Sequence, residues 1–453
     1  MTITPQQAVA ATRARTHNAD GLPPELRIVT DTRMLAPGDT FLALRGERFD
    51  GHAFLEQAHE KGARGFIVDD AAAVPQGAAA LVVGDTKRAY MDLAAAARSL
   101  YEGLVLAITG SSGKTTTKYL LAQLLAAHYG EDRVLASPAN ENNEIGVSKL
   151  LLSSTQQHAV LVIEMGARHE GDIAELVQIA QPHIGVLTNI GEAHLEIFGS
   201  RERLARTKWG LFSQGAQAVL NAEDSELSLR AAALPAPPVW FGTGEPRTPG
   251  VWIVDEHTLA VFSGGTMERF PIDVLLPGRH NRQNLAAAVA AALLLGVPAE
   301  ELVPVIPLLS LPAGRYQTIA VAGKPRLIYD AYNANTSGMI AALDAFAAER
   351  AARRIAVLAS MAELGPDAQA MHERVGAHAA QSGVDVLLVG GEFAQSLAQG
   401  ALAGGFTRER IVEFADNAAA ARWLRENAHP QDAVLLKGSR KYQMEEIIQE
   451  LLG

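Results

Sequence analysis

Between Gly110 and Thr117 the chain reads GSSGKTTT. Where such a glycine-rich turn opens a helix, its backbone N–H groups and the positive end of the helix dipole converge on an anion. Lys114 has the charge and reach for the β- and γ-phosphates of a nucleoside triphosphate, and the Thr115 hydroxyl suits the accompanying magnesium. Gly110, Ser111, Ser112, Gly113, Lys114, Thr115 and Thr116 therefore form a candidate ATP site. The common form of this loop, G-x-x-x-x-G-K-S/T, requires glycine where Ile108 stands. The shortened G-x-x-G-K-T spacing argues against an ordinary phosphate-loop switch or kinase.

Other residues have types and places that suit the same chemistry. Glu164 ends the apolar run AVLVIE, and a carboxylate at the end of a buried parallel strand faces the crevice where ligands bind. There it is a candidate magnesium ligand. His194 follows the run IGVLTN by a few residues, on the same expected side, and its position leaves catalytic and structural roles equally open. Lys208, within ARTKWGLF, reads as a surface lysine on a helix. Asn140, Asn142 and Asn143, in PANENNEIG, make either a polar substrate loop or a capped turn. Asp330, closing RLIYD, could accept hydrogen bonds from ribose hydroxyls, and LLKGSR (Leu435 to Arg440) has the look of a second anion-binding turn.

These residues need a scaffold that presents strand ends. LVLAIT, AVLVIE and IGVLTN alternate with helix-compatible segments, as do RLIYD, RIAVLAS, VDVLLVG, RIVEFAD and AVLLKGS. Alternation of this kind specifies parallel sheets covered by helices. The reading is an α/β protein of three domains: a small α/β unit at 1–84, a central ATPase-like unit with a mostly parallel sheet at 85–312, and a Rossmann-like unit at 313–453. The proline-rich segment Pro304 to Gly314 reads as an interdomain connection. No G-x-G-x-x-G follows the strand ending at Asp330, which argues against a dinucleotide cofactor.

The composition agrees. A formal charge of −11 over 453 residues disfavours a broad nucleic-acid-binding surface. The absence of cysteine excludes disulfides, thiolate metal sites and a cysteine nucleophile. Apolar runs are short and interrupted, so no membrane span is expected, and a cytoplasmic monomer is the default.

In order along the chain, TGSSGKTTT, NENNEIG, Glu164-Met165-Gly166, TNIGEAHLEIFGS, GRHNRQNLAAA, Gly314-Arg315, DAYNAN, MAELG with His372, and LLKGSR with Met444-Glu445 resemble the motifs of the Mur ligases. These are the ATP-dependent amide-forming enzymes of cell-wall synthesis. Asp31-Thr32-Arg33 and the following GDTFLALRGERFDGHAF look like the family's uridine-nucleotide-binding domain. No Asp-Asn-Pro motif occurs, and YNAN, MAELG and the terminal KGSR pattern resemble instead the branch that adds D-alanyl-D-alanine to UDP-N-acetylmuramoyl-tripeptide.

The resemblance implies an acyl-phosphate mechanism using ATP and Mg2+, and it implies that Lys208 is carbamylated and joins Thr115, Glu164 and His194 at the metal. It further implies catalytic roles for Lys114, Lys208, His194 and Glu164, adenine-side roles for His280 and Asn284, and nucleotide contacts from Arg315, Asp330 and Asn333 once the third domain closes. Asp31, Thr32, Arg33, Asn140, Asn142 and Asn143 are the implied substrate contacts. The chain departs from the family at Trp209-Gly210, at Thr336-Ser337 after YNAN, at Ala359-Ser360 before MAELG, and at Tyr329. A divergent paralogue joining another carboxylate and amine stays open on those grounds.

Overall fold

The structure, a computed structural model, describes residues 1–46, 49–191 and 195–452. Three successive stretches of chain build three main sheets. The first has the strand order Arg15–His17, Ala79–Val82, Gly65–Val68, Thr40–Leu42, Ile28–Val29, parallel except for its Arg15–His17 edge. In the nine-stranded central sheet the strand Leu104–Thr109 lies between Val160–Glu164 and Ile184–Leu187, both parallel to it. Beyond Ile184–Leu187 run Gln217–Asn221, Val239–Thr243 and Gly250–Ile253, and the sheet ends in the antiparallel strands Thr258–Ser263 and Thr266–Pro271. Gly264 and Gly265, both at positive φ, make the two-residue turn between those last strands.

Period-two alternation decides which core each central residue enters. Val105 and Ala107 point into one buried cluster, whereas Leu106 and Ile108 point into the other. The second cluster is closed by the helices Lys114–Tyr129 and Arg279–Leu294, where Ala286 to Ala292 are all fully buried. Small side chains let that helix lie close against the sheet. The first cluster runs without a break from Ile3, Leu42 and Ile67 through the helix Thr86–Leu100 to Ile163 and Leu176, so the first sheet and the central one share apolar packing.

The third sheet has the order Gln317–Ile319, Arg326–Tyr329, Ala433–Lys437, Arg354–Ala359, Val386–Gly390, Ile411–Phe414. All pairs are parallel except the first. That antiparallel edge strand is three residues long and partly exposed, too short for an apolar pattern to announce it. The connecting segment is more ordered than its prolines suggest. Val303–Leu308 forms a 3-10 helix with Ile306 buried, and Leu311 packs against both the central and the third core.

Candidate active site

The phosphate loop joins Leu104–Thr109 to the helix Lys114–Tyr129. Gly113 caps that helix at φ 82°, and a Cβ there would lie 2.4 Å from Asn284 Oδ1. At Gly110 a Cβ would lie 1.8 Å from Thr188 Oγ1. Both glycines are at positive φ, which a residue with a Cβ rarely adopts, and a side chain at either would have to displace Thr188 or Asn284. The neighbouring strand end shapes the loop: Thr188 Oγ1 donates to Ser112 O at 2.6 Å, Ser112 N donates to Asn189 Oδ1 at 3.0 Å, and Ser111 N donates to Asn189 O at 3.0 Å. Asn284 also accepts from Thr117 Oγ1 at 3.3 Å, which ties this residue to the phosphate-loop helix.

Glu164 is buried at its strand end and faces the same helix. Its Oε1 accepts from Thr115 Oγ1 at 3.2 Å and from Asn142 Nδ2 at 2.9 Å, and its Oε2 stands 3.0 Å from Lys118 Nζ. Burial would raise the carboxyl's pKa, but the charges of Lys118 and Lys114 more than offset it and hold it below the ordinary value. A hydroxyl and a carboxylate meeting at the head of a phosphate loop are hard oxygen donors of the kind magnesium takes. Among the described residues no group of three or more His, Asp or Glu side chains is placed to hold a metal. This donor set fits an ion that nucleotide phosphates help to bind. In the asparagine loop, Asn142 is spent on Glu164, Asn143 caps the helix Glu144–Ser153 by accepting from Gly146 N at 3.0 Å, and Asn140 is exposed.

Lys208 is not the surface residue its helix context suggests. It is 2% exposed, and its Nζ donates to Gly110 O at 3.0 Å. Burial, reinforced by the charge of Lys114, pushes its pKa well below the ordinary lysine value. Lys114 Nζ donates to the same carbonyl at 2.8 Å. Its own pKa is lowered by burial and by Arg315, against the pull of Glu164. His194 lies outside the described residues.

The third sheet contributes the other wall. Arg315 lies over the Tyr332 ring, 4.5 Å from its centroid, and its charge is among the causes that lower the Lys114 pKa. Asp330 has both carboxylate oxygens engaged: Oδ1 accepts from Tyr316 N at 3.2 Å and Oδ2 accepts from Lys437 Nζ at 2.7 Å. Lys437 is thereby held in a buried ion pair, and Ser439 Oγ accepts from Ala362 N, so two polar side chains of LLKGSR are engaged within the fold. Asn333 is exposed, with its side chain accepting from Ala334 N. His280 sits between the two sheets' domains with its ring centroid 6.5 Å from that of Tyr316, and burial lowers its pKa to about 4. His372 is fully buried and neutral: Nε2 accepts from Met361 N at 2.8 Å, and Nδ1 lies 2.6 Å from Ala368 O. It fixes the start of MAELG.

On the first sheet's side, Asp31 and Arg33 form an exposed pair at 2.7 Å, which lowers the Asp31 pKa to about 2. Thr32 Oγ1 donates to Gln57 Oε1 at 2.8 Å. Lys149, whose charge also reaches Asp31, pairs with Glu141 of the asparagine loop, and Lys87 pairs with Glu144. The residue that motif reasoning passes over is Lys118, whose spacing one turn beyond Lys114 is the available signal.

A shortened phosphate loop at the end of the central strand of an α/β sheet, with a carboxylate and a second buried lysine beside it, is the arrangement of a nucleotide-dependent enzyme. Residues 27–100 match the description "Mur ligase family, catalytic domain", 108–292 the Mur ligase middle domain, and 314–440 the "Mur ligase, glutamate ligase domain". The chain belongs to the Mur ligase family, whose members are ATP-dependent amide-bond-forming ligases.

It is 34% identical over 430 residues to the UDP-N-acetylmuramoyl-tripeptide–D-alanyl-D-alanine ligase of Synechocystis, covering 94% of this chain and 92% of that one. The ligase of the same name from Escherichia coli K12 is 34% identical over 435 residues, at 94% and 93% coverage. Among solved structures, MurF from Acinetobacter baumannii superposes with a TM-score of 0.88 at 31% identity, covering 100% of this chain and 99% of that one. MurF ligase from Thermotoga maritima in complex with ADP gives 0.79 at 27% identity, with 94% and 96% coverage.

Proposed function

We propose that this protein joins D-alanyl-D-alanine to UDP-N-acetylmuramoyl-tripeptide at the expense of ATP, giving the pentapeptide precursor of peptidoglycan, ADP and phosphate. The observation that carries this reading is similarity over more than nine-tenths of the chain to ligases of that name, joined to a phosphate loop with a carboxylate beside it. The paralogue with a different carboxylate and amine is not favoured, because the likeness extends through all three sheets rather than the ATP site alone.

The chemistry follows from what the residues present. A carboxylate has no usable leaving group, so the tripeptide's terminal carboxylate oxygen attacks the γ-phosphorus of ATP, the bond to ADP breaks, and an acyl phosphate forms. The loop N–H groups, Lys114 and Arg315 would take the charge that spreads over the transferring phosphoryl oxygens. Magnesium, held by Thr115, Glu164 and the nucleotide phosphates, would neutralise part of that charge. The dipeptide's free amine then attacks the acyl carbon, and the tetrahedral intermediate expels phosphate. Closure of the third domain over the central one would keep water from the acyl phosphate.

Lys208 is read as a lysine carbamylated by carbon dioxide. Its burial and depressed pKa supply the uncharged amine this addition requires. The carbamate would convert the side chain into an oxygen donor near Lys114 and the magnesium. Residues 1–84 are proposed to bind the UDP portion, 85–312 to bind ATP, and 313–453 to close over it. The protein is proposed to act as a monomer in the cytoplasm. Among the described residues no helix is long and apolar enough to cross a membrane.

The test is phosphate release with ATP, magnesium, UDP-linked tripeptide and D-alanyl-D-alanine, each omitted in turn. Turnover is expected to require all four. Turnover independent of the dipeptide would overturn the assignment.

A further inference from the structure

Lys118 lies one helical turn beyond Lys114 and is 4% exposed. Its Nζ donates to Ala139 O at 2.8 Å and stands 3.0 Å from Glu164 Oε2. Ala139 is at φ 37°, in the left-handed region that a residue with a Cβ rarely adopts, so something must hold it there. The same loop returns to the same carboxylate: Asn142 Nδ2 donates to Glu164 Oε1 at 2.9 Å, and Gly166 N donates to Asn142 O at 2.8 Å. Glu164 N in turn donates to Ser137 Oγ at 3.0 Å. One buried ammonium thus touches both the phosphate-loop partner carboxylate and the strained residue of the asparagine loop.

We propose that Lys118 is a positioning residue that locks the loop 138–142 to Glu164, so that a single ammonium sets both the carboxylate facing the nucleotide's magnesium and the asparagine loop. This rests on the reading of Glu164 as that carboxylate. A neutral side chain would not serve as well, because Oε2 of this buried carboxylate has no hydrogen bond and faces only the Lys118 ammonium. Lys114 cannot take over this task from one turn away, since its Nζ is already on Gly110 O.

The experiment measures ADP binding by calorimetry across a magnesium titration, with amide hydrogen exchange at 138–142, for the wild type, Lys118→Met, Lys118→Arg, Glu164→Gln and the double variant K118M/E164Q. Lys118→Met is expected to raise the magnesium concentration for half-maximal enhancement at least fivefold and to speed exchange in the loop at least tenfold. Lys118→Arg should recover most of both. In the Glu164→Gln background the second substitution should change the magnesium dependence less than twofold while still freeing the loop. Should the single Met variant fail to fold, the comparison of Glu164→Gln with the double variant carries the test, because neither leaves an unpaired buried carboxylate. Wild-type magnesium dependence or wild-type loop exchange on loss of Lys118, with Glu164→Gln impaired, would overturn the Lys118 role alone. Unchanged magnesium dependence in Glu164→Gln itself would overturn the reading beneath it, and the proposal with it.

Discussion

Lys114 and Lys208 donate to one acceptor, the carbonyl oxygen of Gly110, at 2.8 and 3.0 Å. Two ammonium groups sharing a single neutral oxygen in a buried site repel each other, and no described carboxylate touches Lys208 to balance its charge. Burial and this repulsion act in the same direction, so Lys208 gives up its proton more readily than an ordinary lysine. Burial and the Lys114 charge thus favour the uncharged amine at Lys208.

Replacing Lys208 tests that division of labour. Lys208→Met is expected to lose at least 100-fold in phosphate release while binding the UDP-linked tripeptide as the wild type does. It should also fold at least as stably, since it removes a costly buried amine of similar volume. The sign with pH is fixed by the depressed pKa: below the ordinary lysine value of 10.5 the unfolded chain binds the proton that the folded chain sheds. Wild-type stability from this group therefore rises with pH up to 10.5. The Met variant should show its largest gain in melting temperature at the low end of that window. Full activity in the variant would remove Lys208 from the mechanism.

Gly113→Ala probes the loop itself. The new Cβ would lie 2.4 Å from Asn284 Oδ1 and would sit at φ 82°. The left-handed conformation alone costs a residue with a Cβ about 1 kcal/mol, and the overlap must be relieved by moving either the loop or Asn284. ADP affinity is expected to fall at least tenfold, with the UDP-substrate affinity unchanged. Equal loss of both in calorimetry would mean the damage is global.

His280 should stay neutral through the physiological range. Burial is the main cause of its lowered pKa, about 4, helped by Lys437 and Arg282 and opposed by Asp330 and Asp344. Because the unfolded imidazole, at about 6.5, binds a proton that the folded one refuses, this group's contribution is complete above pH 6.5. It is lost as pH falls from there towards 4. His280→Gln is expected to flatten that part of the stability profile, read as melting temperature against pH. An unchanged slope between pH 6.5 and 4 would show that the ring is solvated.

How much of this is readable in the sequence depends on the range of the interaction. LVLAIT and GSSGKTTT are local patterns, so the central strand, the loop and the helix start are all legible. Glu164 is legible because a carboxylate closing a buried apolar run can only face the crevice at the strand end. Lys208 and Lys118 are not, because a helical lysine is buried only when distant chain supplies the cover: Gly110 lies 98 residues from Lys208, and Glu164 comes from another strand. The asparagine loop is half legible. Its polarity marks it as special, but only the fold separates Asn143, a helix cap, from Asn142, a partner of Glu164. Asp330 has the sequence position of a ribose acceptor, whereas in this conformation both its oxygens are already engaged.

That engagement yields a prediction about Asp330 and Lys437, which are 8% and 3% exposed and paired at 2.7 Å across 107 residues. Removing one partner of a buried pair strands the other charge and costs about 3–5 kcal/mol, whereas removing both costs much less. Lys437→Met should therefore lower the unfolding free energy of the third domain by that amount, and the double variant K437M/D330N should regain at least half of it in denaturant titrations. The pair has a second consequence. Asp330 Oδ1 holds Tyr316 N, and Arg315 is the residue before it, so loosening the carboxylate loosens the arginine whose charge is felt at Lys114. The single variant is expected to raise the KM for ATP several-fold with the KM for D-alanyl-D-alanine little changed, and the double variant, which keeps an acceptor at position 330, to restore part of it. A stability loss without any change in the KM for ATP would separate the ion pair from the placement of Arg315.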